Sequence, residues 1–186
     1  MNNNDIMDEN EHYLKTEFST KLNAGKLIRS SDKNDFWYVD LDPYNTYRLE
    51  VIPVSFDNPM YRPKYKTYAV TVDPNGFKFI PVPVFISGII SGNVKLKTEK
   101  GMKGIPSMKI ILESIDGKQK FEKFTFSDGE YIFDNVPPGN YKIYPDPQEL
   151  NKRSITSEQE YQLVEVKQLE EGDIIDGIDI YMKKKQ

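Results

Sequence analysis

The chain has 186 residues, a formal net charge of −4, one histidine and no cysteine. This composition excludes a disulfide framework, thiol catalysis and a metal site rich in cysteine or histidine, and its acidic balance does not favour nucleic-acid binding. Alanine occurs only at Ala24 and Ala69, whereas Val, Ile, Tyr, Phe and Thr are plentiful, which disfavours helix and favours strand. We therefore expect an all-β, non-enzymatic protein that needs no cofactor.

Both termini are interpreted as tails. Residues 1–12 are Asn-rich and acidic and lack the apolar core of a secretory signal, so we expect them to be disordered. The single histidine, His12, lies in this tail, where it cannot be held as the base of a catalytic triad. Residues 183–186 form a short basic tail. The apolar stretch 79–90 contains two prolines and is too short to cross a bilayer, so no membrane insertion is expected.

Residues 13–85 are predicted to form a partial β-sandwich. The segment Phe18 to Ile28, with Asn23-Ala24-Gly25 at its centre, has the composition of one or two strands. The second half of the chain has an Asp-Gly turn at Asp128-Gly129, and the corresponding residues here are Asn34-Asp35.

Residues 86–182 are predicted to form a complete β-sandwich, because short apolar runs alternate with turn residues. Asp116-Gly117 and Asp128-Gly129 are hairpin signals, the glycines at 101 and 104 indicate a loop, and Gln148 to Lys152 is the best candidate for a helical turn. The predicted strands cover residues 86–98, 108–112, 121–126, 131–133, 141–145, 161–166 and 174–182.

A shift of 94 positions aligns the second half of the chain with the first without gaps. The shift places Tyr141 on Tyr47 and Ile143 on Leu49, and it keeps the inward or outward direction of side chains over several strands. Other aligned pairs are Trp37 with Tyr131, Val39 with Phe133, Pro43 with Pro137, Val70 with Val164 and Ile86 with Ile180. This pattern predicts a tandem repeat with Trp37, Val39, Tyr47 and Leu49 in the core, although two β-rich stretches can also align by chance.

The first repeat would lack its opening strand, because the counterpart of residues 86–98 falls mostly before residue 1. We therefore predict an incomplete sandwich followed by a complete one, joined near Phe85 to Gly88. An incomplete sandwich exposes a strand edge, which proteins cover or use for pairing.

Three strings in the second half carry a family resemblance. They are Gly104-Ile105-Pro106-Ser107-Met108-Lys109-Ile110, Ser127-Asp128-Gly129-Glu130-Tyr131-Ile132-Phe133 and Asn135-Val136-Pro137-Pro138-Gly139-Asn140-Tyr141. In this order they resemble the carboxypeptidase regulatory-like domains, which are transthyretin-like (prealbumin-like), Ig-like sandwiches of seven strands. The first half departs from the pattern, since Asp42-Pro43-Tyr44-Asn45-Thr46-Tyr47 replaces Pro-Pro-Gly-x-Tyr.

The tandem form also resembles the C-terminal modules of usher-like outer-membrane and surface proteins. The strings concerned are Leu41-Asp42-Pro43-Tyr44, Ser55-Phe56-Asp57-Asn58-Pro59 and Val82-Pro83-Val84. Both resemblances imply an accessory module of the cell envelope or the extracellular space. The chain itself shows no signal, and a cytoplasmic location stays open.

Acidic residues offer two further sites, and both have simpler interpretations. Asp40, Asp42 and Asp57 could gather around calcium, but no EF-hand pattern is present and the Asp-Pro and Asn-Pro contexts read as turns. Lys95 and Lys97 on one strand, with Asp176 and Asp179 on the last, could form the isopeptide bond of related surface sandwiches. We do not expect that bond, because the last strand has no asparagine. The glutamate that normally follows the Pro-x-Gly-x-Tyr turn in those sandwiches is also absent.

Exposed aromatics are the remaining signal for binding. We predict Tyr38, Tyr44, Tyr61 and Tyr65 as a possible binding surface, while loop anchoring is the simpler role of such tyrosines.

The sequence thus predicts an all-β chain of tandem Greek-key β-sandwiches that works as a structural or protein-interaction module of a larger bacterial envelope or surface protein. The expected partner is a protein or a neighbouring domain of the same precursor. Two alternatives are a carbohydrate-binding module, with a glycan as partner, and the accessory domain of a peptidase.

Overall fold

The computed structural model describes residues 18–29 and 36–185. The predicted tail over residues 1–12, His12 and the Asn34-Asp35 turn lie outside the described residues. The chain divides into two compact units, an N-terminal unit that ends at Phe85 and a C-terminal unit that begins at Ile86.

Strands dominate both units, and the only α-helix among the described residues is six residues long. The N-terminal unit contains β1 Ser19–Leu22, β2 Lys26–Arg29, β3 Phe36–Val39, β4 Thr46–Ile52, a 3-10 turn Pro53–Ser55, β5 Tyr61–Pro63 and β6 Thr67–Thr71; β7 Val84–Ile86 follows. The C-terminal unit contains β8 Gly88–Thr98, β9 Gly101–Gly104, β10 Lys109–Ser114, β11 Lys120–Phe124, β12 Glu130–Val136, β13 Gly139–Pro145, α1 Pro147–Lys152, β14 Ile155–Ser157, β15 Gln162–Val166, β16 Ile174–Ile175 and β17 Ile180–Lys184.

The N-terminal unit is built on a three-stranded antiparallel sheet in the order β1-β4-β6. Alternation along β4 buries Tyr47, Leu49 and Val51 and exposes the residues between them, as expected for a sheet with one covered face. Strands β2 and β3 pair separately, as do β5 and β7. The segment from residue 18 to residue 29 therefore supplies two strands, which agrees with the sequence.

The C-terminal unit is a sandwich of two sheets. One sheet has the order β11-β10-β13-β15, and the other has the order β12-β8-β17-β14 with β9 and β16 also paired to β8. Inward residues of both sheets form one buried cluster, which includes Ile90, Leu112, Tyr131, Ile143 and Ile180. The prediction of an all-β sandwich fold is confirmed.

The central sheets of the two units share one pairing register. Tyr47 on β4 lies opposite Val70 on β6, and Tyr141 on β13 lies opposite Val164 on β15. Both tyrosine hydroxyls turn back to the preceding loop: Tyr47 Oη accepts a hydrogen bond from the Asp42 N–H at 3.0 Å, and Tyr141 Oη donates to the Pro137 carbonyl at 2.8 Å.

Several predictions from the sequence are wrong. The predicted strand 174–182 is interrupted, because residues 176–179 lie between β16 and β17 and belong to neither. Trp37 is not in the core, because its side chain is 49% exposed on a two-stranded ribbon, where it contacts the ring of Phe77 edge-on. Val39, on the same ribbon, is only half-buried. The glycines at 101 and 104 do not form a loop but bound strand β9, which pairs with the end of β8 as a hairpin.

Candidate functional site

The four tyrosines predicted as a binding surface lie in four different settings. Tyr38 on β3 is half-buried, and its hydroxyl shares a hydrogen bond of 3.0 Å with Thr20 Oγ1. Tyr61 on β5 is half-buried against Phe56. Tyr38 is therefore held by a hydrogen bond, and Tyr61 has a packing role.

Tyr44 and Tyr65 are the exposed members of the set. Tyr44 is 78% exposed in the turn before β4, and its N–H donates to the Val72 carbonyl at 2.8 Å, so the backbone is anchored while the ring faces solvent. Tyr65 is 43% exposed, lies edge-on to Tyr68 with 6.1 Å between ring centroids, and has the Lys64 amine 5.3 Å from its ring centre. At this distance the Lys64 amine makes a cation–π contact with the Tyr65 ring.

Asp57, one of the acidic residues weighed for calcium, forms a local turn bond. Asp57 Oδ1 accepts a hydrogen bond from the Asn58 N–H, and Asn58 Oδ1 accepts one from the Met60 N–H, both at 2.8 Å. These are turn-forming bonds. Across the described ranges, no group of three or more acidic, histidine or cysteine side chains is arranged to hold a metal ion.

Of the residues weighed for a cross-link, Lys95 and Asp179 form an ion pair on the C-terminal unit. Lys95 Nζ lies 2.6 Å from Asp179 Oδ2, and the Asn93 N–H donates to Asp179 Oδ1 at 2.9 Å. Burial would raise the pKa of Asp179, but the bonds from Lys95 and Asn93 outweigh it and lower the pKa. The hydrogen bond between Lys95 and Asp179 also raises the pKa of Lys95. The pair is therefore an ammonium and a carboxylate, and its lysine is fully charged.

Asp176, three residues before Asp179, is also hydrogen-bonded to β8. The Ser91 hydroxyl donates to Asp176 Oδ1 at 2.7 Å, and this bond is the main cause of the lowered pKa of Asp176. Lys97, the other lysine considered from the sequence, is exposed.

The outer face of the β11-β10-β13-β15 sheet is covered by a second charged network. Tyr144 donates to Glu113 at 2.6 Å, and Lys142 lies 3.2 Å from the same carboxylate, so the pKa of Glu113 is lowered. Lys109 lies 3.4 Å from both Glu122 and Asp146. These pairs join neighbouring strands, and they leave Ile111 buried on this face at 4% exposure.

A cleft beside α1 is the feature that sequence reasoning missed. It has a volume of about 480 Å³, and Tyr144, Tyr161, Pro147, Lys142 and Gln159 are among the residues that line it. A smaller cavity of about 190 Å³ shares Tyr161 and Gln159 and reaches Asp179. Tyr144 and Tyr161 are seventeen positions apart in the sequence. The pairing of β13 with β15, which sets Ile143 opposite Gln162, brings these two tyrosines to the same cleft.

No protein-family model matches the chain, and no curated protein matches it. Among solved structures, the chain is similar to a minor pilin of Streptococcus agalactiae, at 13% identity and a TM-score of 0.42, over 83% of this chain and 66% of that one. It is similar to the TIE protein of Bacillus anthracis, at 15% identity and a TM-score of 0.41, over 96% of this chain and 32% of that one.

A third similar structure is a suggested carbohydrate binding protein of Pseudomonas aeruginosa, at 17% identity and a TM-score of 0.37, over 51% of this chain and 88% of that one. These identities and TM-scores assign neither a family nor a function to the chain. In the described part of the chain, no helix combines the length and the apolar character that a membrane span requires.

Proposed function

We propose that this chain is a non-catalytic structural or protein-interaction module of a larger bacterial envelope or surface protein. One observation carries the proposal. Three ion pairs in the C-terminal unit bridge neighbouring strands or involve the residue that caps α1: Lys95 with Asp179, Lys142 with Glu113, and Lys109 with Asp146. Charged groups placed in this way hold a scaffold together, whereas catalytic groups are directed at a substrate.

The fold and the resemblance stated from the sequence support the same role. The carboxypeptidase regulatory-like pattern, the tandem organisation with its boundary near Phe85 and the surface location are all parts of this proposal. The two central sheets with one pairing register support the tandem repeat.

Surface labelling of the source bacterium tests the location. Intact cells are treated with a membrane-impermeant amine-reactive biotin reagent, and the chain is then captured and mapped by mass spectrometry. We expect biotin on exposed lysines such as Lys118 before lysis, with a cytosolic enzyme as the unlabelled control. Labelling of this chain only after lysis would contradict the proposal.

Glycan binding is the second candidate, because tyrosine rings and polar side chains lie together at the cleft beside α1 and around Tyr65. Aromatic faces of this kind stack on sugar rings. A glycan array probed with the full chain and with Tyr161→Ala and Tyr65→Ala separates the two locations. Binding that neither substitution changes, or no binding at all, would leave the protein-interaction role.

A further inference from the structure

The last segment of the C-terminal unit runs parallel to its first strand. Ile174 and Ile175 on β16 pair with Ile89 and Ile90, and β17 continues the pairing, with Ile180 opposite Val94 and Met182 opposite Leu96. The segment 173–182 therefore accompanies β8 along most of its length. The first long strand of this sandwich, β8, and its last strand, β17, are therefore direct neighbours that run in the same direction.

Additional backbone bonds extend the contact on both sides of β16. The Ile89 N–H donates to the Asp173 carbonyl at 2.8 Å, and the Ile178 N–H donates to the Ser91 carbonyl at 3.0 Å. Asp176 and Asp179 add the side-chain bonds to Ser91, Asn93 and Lys95 described above. Side-chain bonds from Asp176 and Asp179 thus add to the backbone bonds over the middle of the contact.

Close approach at this contact requires glycine. A Cβ atom at Gly92 would lie 2.1 Å from the Ile178 carbonyl oxygen, and one at Gly88 would lie 2.9 Å from the Asp173 carbonyl oxygen. The Tyr131 hydroxyl, from the other neighbour of β8, also donates to the Ile178 carbonyl. The segment 173–182 is therefore held against β8, and the Tyr131 side chain of β12 holds it as well.

The direction of these strands decides how the unit responds to tension. Force that enters through the chain before Gly88 pulls β8 towards its N-terminal end, and force that leaves after Lys184 pulls β17 towards its C-terminal end. Because the two strands are parallel, these forces slide one strand along the other. All the bonds between them then carry load together, and none can open before the rest.

From this geometry we propose that the C-terminal unit is a load-bearing link, with the β8–β16–β17 contact as its mechanical clamp. The inference rests on the proposed structural role and adds a stated task, which is to transmit tension along the chain without unfolding. Force measurements on purified protein test it apart from the labelling of cells, so either result can fail without the other.

Single-molecule pulling of the full chain in two directions tests the clamp. The absence of native cysteine allows attachment through single introduced cysteines. In the first geometry, force is applied between the chain termini, and unfolding of the C-terminal unit releases roughly 350 Å of chain. In the second, force is applied between Lys100→Cys, in the turn after β8, and the C-terminus. This direction pulls the C-terminal ends of β8 and β17 apart and opens their bonds one after another.

We expect the unfolding force of the C-terminal unit to be at least about twofold higher between the termini than from Lys100→Cys, because forced unfolding follows the unfolding barrier in each direction. Equal forces in the two directions would overturn the proposal.

A matched pair of variants locates the resistance. Lys95→Met removes the ion pair inside the clamp, and Lys123→Met removes the 2.7 Å ion pair with Asp134, which lies outside it. Lys95→Met should lower the end-to-end unfolding force, while Lys123→Met should leave it at the value of the unmodified chain. The same loss of force in both variants would place the resistance outside the contact of β8 and β17 and would overturn the clamp.

Discussion

The two units have the same central pairing but differ in how much of it they bury. The register that sets Tyr47 opposite Val70 sets Tyr141 opposite Val164. In the C-terminal unit a second sheet covers this one, and the buried cluster holds sixteen hydrophobic residues. Before Ile86, the buried hydrophobic residues among those described are Tyr47, Leu49, Val51 and Phe56. A shared strand register is thus compatible with very different cores, and we expect the units to unfold separately, the N-terminal one first.

Equivalent core substitutions should have unequal effects. Ile143 is 1% exposed and Leu49 is 8% exposed at the matching position. We expect Ile143→Ala to lower the free energy of unfolding of the C-terminal unit by about 3–4 kcal/mol, and Leu49→Ala to cost the N-terminal unit about 2 kcal/mol. Urea unfolding followed by circular dichroism measures both. The fluorescence of Trp37, the only tryptophan, identifies the transition of the N-terminal unit. Equal losses would contradict the difference between the cores.

A methyl group at Gly92 should destabilise the C-terminal unit alone. The added Cβ meets the Ile178 carbonyl, so the segment 173–182 must shift, at a cost of about 1–3 kcal/mol. Gly76→Ala is the matched control in the N-terminal unit, where the nearest atom to the added Cβ is 3.9 Å away. Thermal unfolding should show a lower Tm of the C-terminal transition for Gly92→Ala and an unchanged profile for Gly76→Ala. An unchanged Tm for Gly92→Ala would show that the segment does not lie against β8.

The two matched tyrosine hydroxyls also differ in environment. Burial, together with the nearby Asp116 charge, raises the pKa of Tyr141 to about 12. Tyr141→Phe should cost the C-terminal unit about 1–2 kcal/mol, because it leaves the Pro137 carbonyl without this donor. Tyr47→Phe should cost the N-terminal unit less than about 1 kcal/mol, because both bonds of Tyr47 Oη, from the Asp42 N–H at 3.0 Å and to the Asp42 carbonyl at 3.3 Å, join it to an exposed residue whose groups water can satisfy. Urea unfolding of each variant measures both values, and a larger loss for Tyr47→Phe would contradict this ranking.

Acid should weaken the ion pair of the clamp. The folded-state pKa of Asp179 is lowered, so its contribution to stability is present above its unfolded pKa of about 3.9 and is lost as the pH falls through the lower folded value. Because both partners are partly exposed, the contribution should be below about 1 kcal/mol. Asp179→Asn should reduce the loss of unfolding free energy of the C-terminal unit between neutral and acidic pH. Asp73→Asn, at the exposed pair with Lys78 in the N-terminal unit, is the control. If Asp179→Asn leaves the acid dependence of the C-terminal unit intact, Asp179 is not its source.

Lys95 and Asp179 should remain separate side chains. An ammonium is not a nucleophile, and the raised pKa of Lys95 keeps it charged. The intact mass should equal the mass of the sequence, in agreement with the prediction that no cross-link forms. A mass lower by one water would show an amide bond and contradict the ion pair.

Strands β10 and β11 of the C-terminal unit could be predicted from the sequence because their signals are local, whereas β9 and β14 were not predicted. Alternation of Ile110 and Leu112 and the turn at Asp116-Gly117 fix β10 and β11 within a few residues. The neighbour relation of β8 and β17 has no local signal, since Lys95 and Asp179 are 84 positions apart.

Trp37 shows a different limit. Alternation gives the direction of a side chain relative to its strand, but burial also requires a second layer over that face, and the ribbon of β2 and β3 leaves Trp37 half exposed. The same limit explains the cleft at Tyr161, which depends on the packing of α1 and β15 and not on any pattern around the residue itself.

Hydrogen exchange of the full chain, read by mass spectrometry, tests the difference between the units most directly. The amides of β8, β13 and β17 should exchange slowest, through global unfolding of the C-terminal unit, and those of β1 and β2 should exchange much faster through separate opening of the N-terminal unit. If the amides of residues 19–29 exchange as slowly as those of β8, the account is contradicted, because the N-terminal unit would then be as stable as the C-terminal sandwich.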